Sequence, residues 1–385
     1  MKEHNKSKII FVSSHPIQYQ VPIFKRLAKK NKNFFAIFGS SIHKSTKMFD
    51  REFKKNITWG KNLQTGFKFI SFNKKDNFIY NIYNIYKFLK KNNIKILIIS
   101  GWNNFFYKSI IVISKILNIK IVIRCENNLH DDKNFKKYFK IFVYFFFFRI
   151  FYKFISIGKK NKDMYIRCGI NKKKIYDAPY CVDDQFFSKK NIVKSKFLKI
   201  KKKYKEHNRK IFLFVGKIID RKGYKELIQL SNLIKDNPTL YQNSTFLIVG
   251  TGNKLEEFKN LIKNKKINNF KFLGFKNQKE LVYYYKLSDY LILPSLYETW
   301  GLVVNEAMSV GTPCIISNNC GCGNDLVISG KNGYIYKSGN TEDLFNIVKK
   351  IIIKNSEYKK MRIAVRNSIL KFNMKKTVDI ILNIK

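Results

Sequence analysis

Long apolar runs are missing from this sequence. A helix that crosses a bilayer needs about 18 or more predominantly apolar residues in succession, and no such run occurs, so we expect no spanning helix. The amino terminus, MKEHNKSKIIFVSSH, also lacks the apolar segment and the small-residue cleavage site of a secretory signal. These features together predict a cytoplasmic protein.

Cysteine is scarce as well, with 6 residues that form no spaced CxxC pairs. In a chain of 385 residues this argues against a small disulfide scaffold and favours reduced thiols of the cytosol. Cys320 and Cys322 flank a single glycine. Because two thiols do not close a zinc site, we interpret them as small residues of a glycine-rich loop rather than as a metal or redox fragment.

Acidic side chains are few: 26 Asp and Glu stand against 76 Lys and Arg, which gives a formal net charge of +50. The electrostatic field of so positive a chain attracts nucleic acid, acidic lipid headgroups or phosphorylated substrates. The lysines are spread over the whole chain, however, as they also are on ordinary solvated faces. No groove-reading motif, aromatic RNA-binding pattern or zinc finger accompanies them, so we predict no specific nucleic-acid partner.

Hydrophobic residues make up 45% of the chain, which is enough for real cores. Short apolar runs alternate with helical patterns in two series, from KIIFVSS to KIYDAPY and from KIFLFVGK to TEDLFNIVKKIIIKN. This alternation predicts an α/β protein with parallel sheets covered on both faces. We expect two βα sandwiches facing a central cleft, with ligands at the carboxyl ends of the strands.

The stretch between the two series is highly charged and has no strand pattern. We therefore place a first domain at residues 1–185, a basic connection at 186–208, with a solvated helix as one option, and a second domain at 209–385. A terminal helix of the second domain could pack back on the first.

A glycine and two lysines follow the first strand of the second series, in FVGKIIDRKGYKEL. Gly216 ends the strand, and Lys217 and Lys222 lie on the loop before a helix. Two ammonium groups near a helix amino terminus favour a diphosphate; the alternative is two more surface lysines. Gly250 and Gly252 resemble the start of a dinucleotide fingerprint, but the third glycine is missing, so a backbone turn close to a ligand fits better.

Two carboxylates stand close together in PSLYETWGLVVNEAMSVGTPCI. Glu298 lies in a loop after a strand, and Glu306 lies on the helix that follows. The backbone amides of Gly301, Leu302 and Val303 begin that helix and lack intrahelical acceptors, so they form a second anion cradle. Each carboxylate can accept hydrogen bonds from vicinal hydroxyls; the alternative is a dipole-favoured acid at the helix start and a solvated helical glutamate.

The stretch ETWGLVVNE resembles the E-x7-E motif of the retaining glycosyltransferases of family 4, the group 1 glycosyltransferases. GKIIDRKG resembles that family's lysine loop, and LIVGTG, FLGF, LILPS and NNCGCGNDLVISGKNGYIY follow in the family's order. The amino-terminal SSHPIQYQVPIFKRLA, with IISGW and VIRCEN, is similar to an HPxQY-type subset of the family, although it departs from the family's common glycine-rich loop. The resemblance implies a GT-B fold, that is, two Rossmann-like domains, and a nucleotide-sugar donor.

The resemblance also assigns roles to these residues. It implies that Lys217 and Lys222 bind the donor diphosphate, that Glu306 holds the ribose hydroxyls, and that Glu298 holds the hydroxyls of the transferred sugar. The sugar keeps its anomeric configuration in such enzymes.

Further donor contacts follow from the same resemblance. The amides of Gly301 and Leu302 would hold the distal phosphate, and Gly274 and Phe275 would lie beside the base. No cofactor and no metal are expected, because lysines and helix amides stabilise the leaving diphosphate. No metal-binding DxD motif occurs in a suitable loop; Asp131–Asp132 and Asp183–Asp184 lie elsewhere.

Candidate acceptor-side residues lie in the first series of elements. His15 follows the first strand, and Arg124 and Glu126 end another strand at the same rim. A lone histidine is more often structural, but its position favours a role facing the acceptor or a phosphate. We place His15 and Glu126 among the catalytic candidates, and the general base stays open because the leaving phosphate can take the proton.

After the strand IKIVIRC we predict one long helix that runs to Lys153. The segment from Lys136 to Phe154 is rich in aromatic residues and has basic flanks, as interfacial helices often have. At 100° per residue, Lys137 and Lys140 lie on one side while Arg149 and Lys153 lie nearly opposite, so one membrane-facing stripe is not evident. The alternatives are a buried layer helix and a helix that contacts an anionic membrane.

The sequence thus predicts a retaining, hexosyltransferase-like enzyme that moves a sugar from a nucleotide-sugar donor to a glycan or lipid-linked acceptor. Cell-surface polysaccharide or glycolipid biosynthesis is the expected context, in the cytoplasm or peripherally at the inner face of the cell membrane. The alternative is a non-catalytic nucleotide-sugar-binding protein.

Overall fold

The computed structural model describes residues 8–40, 48–50, 55–57, 63–72, 77–129, 135–183, 186–187, 192–206, 209–354 and 357–384. Asp131, Asp132 and Asp184 lie outside the described residues. The chain divides into two compact units, the first formed by residues 1–47, 58–180 and 374–385 and the second by 48–57 and 181–373.

The first half of the chain contains nine strands and five α-helices among the described residues. In chain order they are β1 Ile9–Ser13, α1 Val21–Lys30, β2 Phe34–Phe38, β3 Met48–Asp50, β4 Lys55–Ile57, β5 Lys68–Ser71, α2 Phe78–Lys91, β6 Ile96–Ile99, α3 Phe105–Ile116, β7 Lys120–Arg124, α4 Phe135–Phe147, β8 Lys153–Ser156, α5 Lys159–Arg167 and β9 Ile175–Asp177. Strands β3 and β4 form a separate antiparallel pair.

A seven-stranded parallel sheet forms the centre of the first unit, in the order β5-β2-β1-β6-β7-β8-β9. Its middle strands have apolar centres because helices cover both faces. The chain runs from β1 to β2 in one direction, whereas α2, α3 and α4 connect strands in the other direction. Right-handed crossovers therefore place α1 on one face of the sheet and α2, α3 and α4 on the opposite face.

The second series contains six strands and ten α-helices among the described residues. They are α6 Lys194–Tyr204, β10 Lys210–Val215, α7 Tyr224–Lys235, α8 Pro238–Gln242, β11 Ser244–Val249, α9 Leu255–Asn264, β12 Phe270–Gly274, α10 Gln278–Leu287, β13 Tyr290–Leu293, α11 Leu302–Ser309, β14 Cys314–Ser317, α12 Gly323–Leu326, β15 Gly333–Tyr336, α13 Thr341–Ile353, α14 Tyr358–Ile369 and α15 Met374–Leu382. The strands form a six-stranded parallel sheet in the order β12-β11-β10-β13-β14-β15.

Helix α15 belongs to the first unit rather than to the second series that precedes it. It packs against α1, where Lys30 forms an ion pair of 2.6 Å with Asp379. The hydroxyl of Thr377 donates to the carbonyl of Pro179 at 3.0 Å. The chain therefore returns to its first unit at its end.

The aromatic segment from residue 136 to 154 differs from the prediction of one long helix to Lys153. Helix α4 ends at Phe147, a 3-10 turn covers Phe148–Ile150, and Lys153 already begins β8. Phe148 turns into the core, where it stacks on Tyr144 with ring centroids 4.9 Å apart. The helix ends before Lys153 because β8 pairs with β7 from Lys153 onwards.

The same segment is neither wholly buried nor wholly exposed. One side of α4 packs half-buried against the core, including Ile141, Tyr144 and Phe147. The interpretation of α4 as a buried layer helix is therefore wrong for its other side, where Phe139 and Phe142 are exposed.

Two strands that the sequence analysis did not identify complete the sheets. Strand β5 is short and half-exposed at the edge of the first sheet, and α2 follows it. Strand β15 lies inside the stretch interpreted as a glycine-rich loop. Edge strands show weak apolar periodicity because one of their sides has no neighbour. No helix among the described residues has both the length and the hydropathy needed to span a bilayer.

Candidate functional site

Two loops at the carboxyl edge of the second sheet pack backbone against backbone. The amide of Gly216 donates to Val249 and that of Ile218 to Thr251, both at 3.0 Å. A Cβ on Gly250, whose φ is +142°, would stand 1.8 Å from the carbonyl oxygen of Gly216. A Cβ on Gly252 would stand 2.3 Å from the oxygen of Ile218. The two glycines therefore allow the loop after β11 to pack closely against the loop after β10, which carries Lys217.

Lys222 lies on a short 3-10 turn, Asp220–Lys222, that ends at Gly223 in the left-handed conformation. A Cβ on Gly223 would stand 1.8 Å from the carbonyl oxygen of Pro294. This approach brings the lysine loop against the loop after β13. Lys222 is buried, and its ammonium group forms an ion pair with the carboxylate of Glu298.

The loop that carries Glu298 is held on both sides. The amide of Leu296 donates to the carbonyl of Arg221 at 2.9 Å. On the other side, Glu298 forms a parallel bridge with Cys320, and the amide of Gly321 donates to the carbonyl of Glu298 at 2.9 Å. Gly321 fits there because a Cβ would stand 1.8 Å from the oxygen of Thr299. The acidic loop is therefore fixed before any ligand binds.

Helix α11 begins at Leu302, directly after Gly301, whose φ of +101° only glycine adopts readily. The amide of Val304 donates to the carbonyl of Gly301 at 2.9 Å. The amides of Gly301, Leu302 and Val303 precede the first intrahelical bond and carry the positive end of the helix dipole. Leu302 and Val303 are half-buried.

Glu306 is buried one turn into α11, at 1% exposure. Its Oε2 accepts a hydrogen bond of 2.6 Å from the hydroxyl of Tyr285, and its Oε1 accepts one of 3.0 Å from Nε2 of Gln278. Both donors lie on α10. These two contacts orient the carboxylate.

Tyr285 and Gln278 are the site residues that the sequence analysis missed. Tyr285 is the last of three consecutive tyrosines, and the sequence does not say which of them faces α11. Gln278 follows Asn277, which forms a capping box with Glu280. That box was a readable signal for the helix start, and hence for a side chain at the edge of the sheet.

The residues expected beside the nucleotide base also lie at this edge of the second sheet. Gly274 ends β12 with φ +66°, and its carbonyl accepts from the amide of Gly250 at 2.9 Å. Phe275 follows it and is half-buried. The lysine loop, the acidic loop and these residues are all part of the second unit.

The carboxyl edge of the first sheet carries His15. The loop that holds it is fixed by Tyr107, whose hydroxyl accepts from the amide of Ser14 at 2.8 Å. The Oγ of Ser14 and Nδ1 of His15 are hydrogen-bonded at 3.0 Å. Burial lowers the pKa of His15 below its ordinary value of 6.5, so the imidazole is neutral at pH 7.

Glu126 is exposed, and it accepts a hydrogen bond from the hydroxyl of Tyr180. The neighbouring guanidinium of Arg124 is buried, 4.9 Å from the centre of the Tyr180 ring. Its Nε and Nη2 find no hydrogen-bond acceptor within the part of the chain that the structure describes. This edge therefore offers an exposed carboxylate and a buried cation side by side.

Cys320 and Cys322 pack as small core residues at the acidic loop. Both are fully buried, and the sulfur of Cys322 would lie 3.4 Å from a Cβ on Gly301. Burial raises the pKa of the Cys322 thiol well above its ordinary value. The thiol therefore stays protonated at neutral pH and serves packing.

Comparison with known proteins finds that residues 196–368 match the family described as "Glycosyl transferases group 1". A UDP-Gal:alpha-D-GlcNAc-diphosphoundecaprenol alpha-1,3-galactosyltransferase of Escherichia coli is 28% identical over 241 residues, which cover 59% of this chain and 58% of that protein. The chain spans between 28% and 58% of the length of this and two further curated relatives.

Solved structures match over nearly the whole chain. A glycosyltransferase from Rickettsia africae has a TM-score of 0.72 at 20% identity and covers 98% of this chain and 97% of its own. Anabaena Alr3699/HepE in complex with UDP and glucose has a TM-score of 0.73 at 16% identity and covers 97% of each chain. The chain therefore has the GT-B fold of two Rossmann-like units.

Proposed function

We propose that this chain is a retaining glycosyltransferase of family 4, of the HPxQY-type subset, that moves a sugar from a nucleotide-sugar to a glycan or lipid-linked acceptor. The group 1 domain supports the transfer. The Escherichia coli relative is named for a UDP-sugar donor and a diphosphoundecaprenol acceptor. We place the reaction in cell-surface polysaccharide or glycolipid biosynthesis, in the cytoplasm at the inner face of the membrane.

The ion pair between Lys222 and Glu298 carries this proposal. It joins the cationic loop after β10 to the acidic loop after β13, next to the amides that begin α11. A donor diphosphate would take Lys217, Lys222 and the amides of Gly301 and Leu302 as its partners, with Val303 extending the cradle. Binding would exchange the contact of Lys222 with a carboxylate for one with phosphate, and so free Glu298 for the hydroxyls of the sugar.

The nucleoside would be held by the neighbouring residues of the same edge. Glu306 would accept hydrogen bonds from the ribose hydroxyls, oriented by Tyr285 and Gln278. Phe275 would lie beside the base, and Gly216 and Gly252 would let the backbone approach the donor. A carboxylate held by two protein donors is already oriented in the free protein, so it loses less conformational entropy when the ligand binds.

Transfer breaks the bond between the anomeric carbon and the diphosphate and forms a bond from that carbon to an acceptor oxygen on the same face. Negative charge develops on the leaving diphosphate, and the lysines and helix amides stabilise it without a metal or cofactor. The leaving phosphate takes the proton of the acceptor hydroxyl. His15 and Glu126 would face the acceptor.

The first test measures the thermal unfolding of the chain in the presence of each nucleotide-sugar of a panel. A donor at about 100 times its dissociation constant stabilises the fold by about 2.7 kcal/mol, which raises the melting temperature by several degrees. We expect one class of nucleotide-sugar to do this. Product NMR with the donor so identified should then show the anomeric configuration of the donor sugar; an inverted product would contradict the mechanism.

A pair of lysine variants tests the site. Lys222→Ala should lose donor stabilisation and reduce transfer by about 100-fold or more. Lys225→Ala is the matched control, because Lys225 lies three residues away and is 59% exposed. Stabilisation by a donor without turnover, with any acceptor, would favour the alternative of a non-catalytic nucleotide-sugar-binding protein. Equal donor binding in both variants would remove the site assignment.

A further inference from the structure

Exposed apolar side chains are concentrated on three helices of the first unit. Helix α2 exposes Ile79 at 74%, and α3 exposes Phe105 at 72%. Helix α4 exposes Phe135 at 84%, Tyr138 at 70% and Phe142 at 62%. Single exposed apolar residues are ordinary, but a concentration on neighbouring helices marks an interaction surface.

The three helices lie side by side on one face of the first sheet, as the direction of their crossovers requires. Phe78 at the start of α2 and Phe105 at the start of α3 have ring centroids 5.4 Å apart. Lys115 near the end of α3 donates to the carbonyl of Ile150, in the turn after α4, at 2.9 Å. We call the exposed apolar side chains of these helices the outer aromatic face. They are Phe78, Ile79, Tyr80, Tyr83, Phe105, Val112, Ile116, Phe135, Tyr138, Phe139, Phe142, Val143 and Phe146.

Helix α4 carries the densest part of the outer aromatic face. At 100° per residue, Phe135, Tyr138, Phe139, Phe142 and Phe146 fall within about 100° of the helix circumference. The opposite side packs against the core. The stripe is therefore continuous along 13 residues and points away from the sheet.

The outer aromatic face is cationic and has no acid. No Asp or Glu occurs between Asp76 and Glu126, or between Asp132 and Asp163, so α2, α3 and α4 contain none. Basic groups lie over rings at its edges: Lys87 stands 4.5 Å from the centre of the Tyr83 ring, and Arg149 stands 4.1 Å from that of Phe145. Long basic side chains can bury their stems beside apolar groups while their charged ends stay hydrated.

We propose that the outer aromatic face docks on an anionic lipid surface. Aromatic side chains interleaved with lysines, on a helix lying in the interface plane, suit the boundary between headgroups and acyl chains. A second copy of this chain fits poorly, because it would bring two acid-free cationic surfaces together. Anionic lipid headgroups would pair with the basic side chains of the outer aromatic face, and its exposed rings would insert into the hydrocarbon beneath the headgroups.

This surface lies on the first unit and includes none of the residues placed in the donor site. Docking deepens the proposed location at the inner face of the membrane by assigning it a surface, and it does not depend on the proposed sugar transfer. If both hold, the surface would bring the first unit to the membrane where a lipid-linked acceptor resides. Binding to vesicles can be measured without donor or acceptor, so failure of one proposal is distinguishable from failure of the other.

Vesicle flotation of the full chain tests the docking. Vesicles of phosphatidylcholine alone are compared with vesicles that also contain phosphatidylglycerol. We expect binding to the anionic vesicles that weakens with salt, and roughly tenfold or more weaker binding of the double variant Phe139→Gln, Phe142→Gln, because two exposed rings no longer insert. Ile363→Gln, which changes an exposed residue of α14 in the second unit, is the apolar control and should bind as the wild type does.

Three results would overturn the proposal. The first is absence of binding to anionic vesicles. The second is equal binding by the double variant and the wild type, which would show that vesicle binding comes from net charge alone and not from the exposed rings. The third is loss, in the double variant, of a solution dimer or of nucleic-acid binding while vesicle binding persists, which would assign the face to that partner instead. Amide hydrogen exchange with vesicles present should show protection in α4.

Discussion

The carboxyl edges of the two parallel sheets differ in how firmly their polar groups are paired. In the second sheet, Lys222 and Glu298 pair with each other, and Glu306 accepts two hydrogen bonds from α10. In the first sheet, Glu126 is exposed and accepts a hydrogen bond from Tyr180, and part of the buried Arg124 guanidinium finds no acceptor among the described residues. The polar groups of the second edge hold one another, whereas the first edge keeps a buried cation that is only partly paired.

This contrast agrees with the roles proposed for the two edges. Nucleotide diphosphates share one chemistry, so a donor edge can be prebuilt around phosphate and hydroxyl groups. Acceptors differ from one transferase to another, so an acceptor edge varies with them. Substitutions at the two edges would separate these roles.

The largest effect is expected for Glu298→Gln, which keeps the shape of the side chain and removes its charge. Transfer should fall by about 100-fold or more, because the variant cannot hold the sugar hydroxyls as a carboxylate does. The fold should also lose about 3 kcal/mol, since Lys222 stays buried without its partner. Steady-state kinetics and thermal unfolding measure the two effects. Turnover within a few-fold of the wild type would end the view that this edge is prebuilt for the donor.

A smaller effect is expected for His15→Gln at the first edge. The variant loses one contact to the acceptor, so kcat/KM should fall roughly fivefold to tenfold. Because burial lowers the pKa of His15, the wild type should keep its neutral imidazole above pH 6.5 and lose activity as the pH falls through the lowered pKa. A pH–rate profile of the variant should lack that acid limb. An acid limb of the same position in both proteins would assign it to another group.

The smallest effect on activity is expected for Glu226→Gln, a buried carboxyl of α7 outside the proposed donor contacts. Burial raises its pKa from 4.5 to about 7, with Tyr336 and the Gly339 backbone partly opposing the shift. The folded state therefore holds the proton more tightly than the unfolded state. Its contribution to stability is present below pH 4.5 and is lost as the pH rises to about 7.

Glu226→Gln should remove this pH dependence and raise the free energy of unfolding above pH 7 by an amount on the order of 1–3 kcal/mol. Urea titrations at several pH values measure it, and the KM for the donor should not change. A wild-type stability that stays level between pH 4.5 and 7 would contradict the assignment. The comparison with Glu298→Gln then separates a carboxyl that serves stability from one that serves transfer.

Apolar periodicity predicted most of the central strands and their helices, because buried parallel strands leave a strong signal of their own. It missed β5 and β15 at the sheet edges, and it extended α4 to Lys153, where pairing with β7 already begins a strand. At the site, the glycines and the two acids of PSLYETWGLVVNEAMSVGTPCI were readable. The capping box indicated where α10 begins, but the contacts of Tyr285 and Gln278 with Glu306 were not readable, since they depend on how α10 packs against α11.

The order of residues along the chain specifies the alternation of strands and helices, the scarcity of acids and the spacing of Glu298 and Glu306. Those properties are local, since each follows from neighbouring residues. The pairing of Lys222 with Glu298, 76 residues away, and the exposure of one side of α4 come from the packed fold. Both depend on which surfaces meet when distant segments pack, and no short window of sequence contains that information.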